Sequence, residues 1–596
     1  MPATVLVSMP FVHVDRPSIQ LGLLKAIGEA AGFPVRTLHA NLDFAARIGV
    51  DHYRSIVDQQ RRLVGDWLFS VEAFGSAAPD PDAKLLAVYA DELAYRDRLL
   101  RTRDEDVPAF LDGLLADFPW HEVRVVGFSS SFQQNAASFA LARRLKREHP
   151  DIVTVFGGAN FDGGMGLELV RTVDCVDFAV IGEGDTAFPR LLAALADGTD
   201  PTGIPGVATR AGSTPPAPPT TDLDDLPAPD YDEFFERAAE LGLPVEATWL
   251  PFESARGCWW GAKHHCTFCG LNGTTMRFRA KSPGRVLDEL ARQAKRYRTF
   301  RFEAVDNILD PTYLRELFPA LTGSDYEIFY EVKANLTRAQ VKVLAQGGVT
   351  HLQPGLESLS TAVLRLMDKG VRAAQNVNLL RWARYYGIAV GWNILWGFPG
   401  ETEEDYAEQA AVVPHLAHLQ PPANADRVWL ERFSPLHGRP DLFPLKHRTP
   451  EPTYGYVYPS TVDLDAVAYF FDYEFEDALP PTAYSALSTA VTAWTDAWTS
   501  GTPPVLVYRS SPGFLQIHDG RHRETSGTYT FHDDLADIYL ACSERPTTAA
   551  AVRAGLGLDL PVQAVEDAFI QFRDRGLMFL DGNLALALAL PATPGR

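Results

Sequence analysis

Cys258-Trp-Trp-Gly-Ala-Lys-His-His-Cys266-Thr-Phe-Cys269 gathers three of the five cysteines into one short segment, and the other two, Cys175 and Cys542, lie far away. Three thiolates can hold three irons of a [4Fe-4S] cluster and leave the fourth open to an exchangeable small molecule. Cys258, Cys266 and Cys269 with His264 or His265 could instead make a Cys₃His zinc site. A disulfide framework fits poorly with five cysteines in a chain of 596 residues. Spacing alone leaves cluster and zinc open.

The elements that must position this segment are alternating strands and helices. Up to residue 210, strands at Val5-Leu-Val, Val35-Arg-Thr-Leu, Arg124–Ser131, Val153–Gly158 and Phe178–Asp185 are joined by helices such as Ile19–Ala31 and Asn135–Glu148. Short continuous apolar strands separated by helices predict a parallel sheet covered on both faces, which binds ligands at the carboxyl ends of its strands. Those ends carry Ser129-Ser130-Ser131, Gly157-Gly158 and Gly182-Glu183-Gly184, where small residues admit a large ligand, or simply make tight turns. A Pro-rich connector follows, and βα units then resume at Phe252–Arg256, Thr299–Val305, Glu327–Val332, His351–Leu356 and Val390–Trp396. Such a series predicts a partial or full β/α barrel, with the cysteine segment on the loop after its first strand. Beyond Pro435 the pattern is irregular and aromatic-rich. The last part reads as short strands, helices Asp533–Ser543, Thr547–Ala554 and Pro561–Arg575, and a hairpin turning at Asp581-Gly-Asn, which makes a winged-helix module.

The net charge of −22 disfavours nucleic acid as main partner, and no run reaches the ~18 apolar residues of a membrane span. The opening residues lack the pattern of a signal peptide. Together with the poor fit to a disulfide framework these features predict a soluble, cytoplasmic protein.

On these residues the chain resembles the radical S-adenosylmethionine (SAM) enzymes, and specifically the peptide-maturation radical SAM protein 1 subgroup, whose signature also has seven residues between its first two cysteines. Phe302-Glu303-Ala-Val-Asp306-Asn307, Gln353-Pro-Gly355-Leu-Glu357-Ser358, Trp396-Gly397-Phe-Pro399-Gly400-Glu401-Thr402 and Arg432-Phe-Ser-Pro435 fall in the expected order. The N-terminal region is similar to the cobalamin-binding domain of related enzymes, and the C-terminal module to PqqD-like leader-peptide recognition elements. The implied layout is a doubly wound cobalamin-binding-like domain (1–210), a linker (211–245), a radical SAM barrel (246–435), an aromatic bridging region (436–503) and a PqqD-like module (504–592).

The resemblance implies a [4Fe-4S] cluster on Cys258, Cys266 and Cys269. SAM would chelate the open iron and yield a 5′-deoxyadenosyl radical, with electrons from an external donor. Phe268 would pack on the adenine, and Glu303, Glu331, Lys333, Glu357, Ser358 and Asn393 would contact SAM, each alternatively serving a rim salt bridge. Cobalamin would be held by Ser129, Ser130, Gln133, Gln134, Gly157, Gly158, Gly182 and Gly184, with Gln133, Gln134 and Asn135 candidates for the cobalt's lower face, because no Asp-x-His-x-x-Gly histidine is present. These three residues serve equally well as helix-cap residues. The implied reaction is C-methylation of a ribosomally made precursor peptide through methylcobalamin. Another radical step such as cyclisation, rearrangement or epimerisation is the close rival, and a non-catalytic leader-binding or zinc-stabilised protein is the rival of another class.

Overall fold

A computed structural model describes residues 3–89, 95–245, 247–273, 275–522, 524 and 526–593. The expected barrel start at residue 246 and the first two residues of the opening segment lie outside these. The N-terminal sheet runs β2 (Val35–Leu38), β1 (Thr4–Val7), β3 (Val125–Ser129), β4 (Val153–Gly157), β5 (Phe178–Val180), then β6 (Val207–Thr209) and β7 (Gly212–Ser213). Its first five strands are parallel and the last two antiparallel. The order 2-1-3-4-5 creates a switch point between β1 and β3, the crevice where doubly wound sheets hold ligands.

Between β2 and β3 lies a helical insertion that the sequence reading passed over. Its helix Val64–Phe74 packs on Asn135–Glu148, where Asp66 accepts the Ala136 N–H at 2.7 Å. Trp67, Phe69, Phe110 and Trp120 from this insertion are buried in the same apolar core as the sheet.

The second sheet is parallel, in the order β8 (Leu250–Phe252), β11 (Arg301–Ala304), β12 (Glu327–Glu331), β13 (Val349–Gln353) and β14 (Ala389–Val390). It continues through a bridge from Glu357 to Ile394 into β15 (Ile394–Trp396) and β16 (Ala425–Arg427), also parallel. The strands thus follow chain order around an open β/α barrel. The strand read as Val390–Trp396 is broken in the middle, so its two halves pair with different neighbours. The small hairpin β9 (Ala255–Arg256) and β10 (Arg279–Ala280) clasps the base of the cysteine loop.

The aromatic segment, read as irregular, forms an antiparallel sheet of β17 (Leu430–Glu431), β19 (Phe470–Phe475) and β18 (Leu445–Pro450), followed by the helix Ser485–Thr499. It ties the two α/β units together. Tyr458 Oη accepts from Asn135 Nδ2 at 2.9 Å, and Arg62 pairs with Glu451 at 2.7 Å.

The C-terminal part opens with antiparallel strands β20 (Val505–Ser511), β21 (Phe514–Gly520) and β22 (Gly527–His532). Helices Asp533–Ala541, Ala549–Leu556 and Val562–Asp574 follow, with β23 (Thr547–Thr548) ahead of the second of them. A wing of β23, β25 (Leu584–Ala587) and β24 (Met578–Asp581) comes next, and β26 (Leu590–Pro591) returns to pair with β20. This module is docked on the barrel helix Ala373–Tyr386, which is buried on nearly every face because it has a neighbour on both sides. Arg381, 0% exposed, donates to the Leu588, Ser543 and Ala589 carbonyls at 3.3, 3.0 and 3.0 Å. Asp581 accepts from Arg372, Thr361 and the Ala374 N–H. No helix among the described residues is long and apolar enough to cross a membrane.

Candidate functional site

The cysteine loop leaves the barrel after β8 and is anchored at several points. Cys258 N–H donates to the Met276 carbonyl at 3.2 Å, and Thr267 N–H to the Met367 carbonyl at 3.0 Å. The residues that lengthen the first gap are keyed into the barrel. Trp259 Nε1 donates to the Leu309 carbonyl at 3.0 Å and Trp260 Nε1 to the Asp368 carbonyl at 2.9 Å. The Trp260 ring lies on Gly370, where any Cβ would sit only 2.0 Å from it, so that position demands glycine.

Cys258, Cys266 and Cys269 are free thiols that line one cavity of about 210 Å³. Cys258 Sγ accepts the Gly261 N–H at 3.2 Å. Burial raises the Cys269 thiol to about 12 and also raises Cys266, against the pull of Lys369 and Lys333.

The donor set fits an iron–sulfur cluster better than zinc. His264 stacks on Trp260 with ring centroids 4.3 Å apart, and His265 Nε2 donates to the Cys269 carbonyl at 2.8 Å, so both histidines are engaged elsewhere. Among the described residues no three Cys, His, Asp or Glu side chains converge on one point as a single ion requires. Three thiols distributed around a cavity instead suit a polynuclear cluster, each iron taking one thiolate.

The strand ends supply the rest of this cavity. Phe268, Glu331, Lys333 and Glu357 of the sequence-predicted set line it, together with Lys369, Asn272 and Asn307, which that set did not include. Burial, reinforced by Asp306 and Glu357, raises the Glu331 carboxyl to about 7. Lys333 is lowered to about 8, by burial and then by the neighbouring Lys369 charge. Its ammonium is spent on the Lys369 carbonyl at 2.5 Å and on the Trp260 ring, 3.3 Å from the centroid. Lys369 is the less committed cation: its one carboxylate partner is Glu357, at 3.5 Å. Burial opposes its charge, but Glu357 and the thiols outweigh that and raise its pKa.

The other three residues predicted for SAM lie elsewhere. Ser358, 0% exposed, faces the core and hydrogen-bonds Gln409 Oε1 at 2.9 Å. Asn393 is exposed in the break between β14 and β15. Glu303 is ion-paired with Arg16 from the loop after β1, so it joins the two α/β units.

A second cavity, of about 360 Å³, opens at the carboxyl ends of β1, β3, β4 and β5. Ser129, Gly157, Gly158, Gly182 and Gly184 line its rim, and Leu24, Val155, Phe156 and Phe188 line its depth. Gly158 has φ +91°, and a Cβ there would meet the Ser130 carbonyl at 2.6 Å. A third, shallower cavity of about 400 Å³ continues from it between the sheet and the barrel, walled by Val305, 42% exposed, and by Arg256 and Arg279. Those arginines form a partly buried network with Glu183, Asp185 and Glu253. A slot that is apolar in its depth, glycine-lined at its rim and continuous with a wide cleft fits a large planar group with a tail. Gln133 and Gln134, 1% and 2% exposed, do not face it. Gln133 Nε2 donates to the Ile56 and Val57 carbonyls, and Gln134 Nε2 to the Met9 carbonyl, so they brace the loop. Ser130 Oγ donates to Asn135 Oδ1 at 2.6 Å and is likewise internal.

The fold and this site define an α/β protein in which a three-cysteine loop at a barrel mouth faces a ligand crevice on a doubly wound sheet. Residues 252–411 match the family model of the Radical SAM superfamily. An uncharacterized methyltransferase from Pyrococcus horikoshii is 25% identical over 333 residues, covering 52% of this chain and 70% of that protein. Among solved structures, the radical SAM methyltransferase TsrM from Kitasatospora setae is similar with TM-score 0.56 at 16% identity, over 83% of this chain and 90% of that one. The cobalamin-dependent SAM radical enzyme OxsB is similar with TM-score 0.54 at 14% identity, over 84% of this chain and 67% of that one. At these identities the structural likeness is one of fold.

Proposed function

We propose that this protein is a cobalamin-dependent radical SAM enzyme that methylates an unactivated carbon of a ribosomally made peptide. One observation carries the reading: the three-thiol cavity opens, past Asn272 and Asn307, onto the cleft above the glycine-lined strand ends. When bound, a reduced cluster and SAM supply a hydrogen-abstracting radical, and cobalamin supplies a methyl group. The chain's own residues hold and shield these groups. Cys258, Cys266 and Cys269 would hold the cluster, and Phe268, Glu331 and Glu357 would line the SAM site. The glycine-rimmed crevice would take cobalamin. A cobalamin-bound neighbour of the same fold and a methyltransferase relative support this reading.

Within the SAM site we assign the SAM carboxylate to Lys369 rather than Lys333, because the Lys333 ammonium is already engaged. Lys369→Met is expected to weaken SAM binding about ten- to a hundredfold, the value of a charge-assisted contact. Lys333→Met should cost less, and equilibrium dialysis with SAM in the absence of reductant separates the two.

The peptide part of the reading rests on the C-terminal module. Strand β22 is the edge of its sheet, pairing with β21 alone among the described residues, and its side chains are largely exposed. Such an edge accepts an extended peptide as an added strand, main-chain bonds giving affinity and side-chain pockets giving selectivity. Protein reconstituted without oxygen, given SAM, reductant, hydroxocobalamin and a candidate precursor peptide, is expected to add one methylene unit to the peptide. Another mass shift would point to a different radical step, and absence of 5′-deoxyadenosine would overturn the reading.

A further inference from the structure

The cavity that contains the thiols and the cleft above the glycine-lined strand ends touch at one place. Among the described residues, those common to the walls of both are Asn272 and Asn307. If the hydrogen-abstracting group works from one side and the methyl donor from the other, the reacting carbon has to sit between these two side chains.

Their hydrogen bonding is half complete. Asn307 Nδ2 donates to Asn272 Oδ1 at 3.0 Å. Asn272 Nδ2 and Asn307 Oδ1 have no hydrogen bond among the described residues, and neither is sealed from the cavities. The pair therefore presents one unused donor beside one unused acceptor, the complement of a peptide N–H and C=O. Both side chains are neutral, and the cleft's Glu183, Glu253, Arg256 and Arg279 are paired with one another, while Asp162 accepts the Gly163 N–H.

The backbone holds both residues firmly. Asn272 sits at φ +57°, a left-handed conformation that asparagine tolerates better than most residues. Asn307 follows Asp306, which is 1% exposed and accepts the Ser254 N–H at 2.8 Å, so its position at the end of β11 is fixed.

We infer that Asn272 and Asn307 together bind a backbone amide of the substrate beside the reacting carbon, and so determine which carbon is presented. The inference rests on the proposed function and adds to it a substrate-positioning pair specific for a secondary amide. Neither residue touches the transferred atoms, so their loss should act on coupling and on substrate affinity.

The test uses the full-length reconstituted protein and a pool of N-acetylated, C-amidated tripeptides as probe, with the corresponding free amino acids as control. The wild type is expected to methylate members of the pool and not the free amino acids. Asn307→Leu and Asn272→Leu should each raise the ratio of 5′-deoxyadenosine to modified peptide, and the KM for the pool, by about tenfold, the value of one or two neutral hydrogen bonds. Binding of the pool by equilibrium dialysis, with SAM but no reductant, should weaken in parallel. Iron and sulfide content reports whether each variant is intact. Asn272→Gly, which suits the left-handed backbone at that position, gives the same readouts should either leucine variant lose iron. Variants that bind and couple like the wild type overturn the inference. So does a wild type that cleaves SAM but leaves the pool untouched while methylating free amino acids. A wild type that cleaves no SAM overturns the proposed function, and this inference with it.

Discussion

Cys266→Ala is expected to abolish SAM cleavage, with 5′-deoxyadenosine falling to the background of a cluster-free control. Cys266 is the middle thiol of the three and lines the thiol cavity together with Lys369 and Lys333. Removing one thiolate leaves an iron without its protein ligand, so the cluster is lost or labile and nothing remains to deliver an electron. The fold should survive, because Trp259 and Trp260 anchor the loop to the Leu309 and Asp368 carbonyls without metal. Iron and sulfide analysis, visible absorption and a near-unchanged melting temperature check this together. Turnover that persists in Cys266→Ala would remove the basis of the proposed function.

The second large effect is structural. Arg381→Met keeps the apolar stem but leaves the Ser543 and Ala589 carbonyls without a side-chain donor in a buried interface, the Leu588 carbonyl keeping only His418 Nε2 at 3.0 Å. Burial lowers the Arg381 guanidinium to about 10, so removing the charge recovers part of its desolvation cost. The lost hydrogen bonds outweigh this, and a net destabilisation of the docked module of about 2–4 kcal/mol is expected. The measurement is limited proteolysis in the connection before β20, where the variant should be cut faster, together with an earlier first transition in denaturant. A variant with the wild-type cleavage rate would show that the module is held by its apolar contacts alone.

Much of this architecture was legible in the sequence because buried parallel strands are short continuous apolar runs. Val35–Leu38, Asn135–Glu148 and Ala373–Tyr386 have the boundaries that their patterns give. The insertion between β2 and β3 was passed over, since its short helices are broken repeatedly and carry no motif. Strand β18, Leu-Lys-His-Arg-Thr-Pro, is almost wholly exposed and shows no alternation, so only its partner β19 reveals it.

Reading the site by position brings the cysteines, Glu331 and Glu357 to one cavity wall, where the fold also gathers them. It failed where direction matters. The chain turns at Glu357, whose φ is +62°, so Glu357 faces the cavity while Ser358 faces Gln409. Gln133 and Gln134 looked like ligand contacts but satisfy nearby carbonyls, a local demand that a sequence does not display. Lys369 and Asn272 lie on loops away from any strand end, and only folding brings them to the thiols.

The docked C-terminal module has one more consequence. It is clamped to a barrel helix by Arg381 and Arg372 and does not hang from a free linker. A peptide anchored along its open strand would therefore begin its path at a constant distance from the barrel mouth. Under the proposed function the module then acts as a ruler: lengthening the stretch between anchor and target should shift modification to a different residue, and shortening it past the span should end modification altogether.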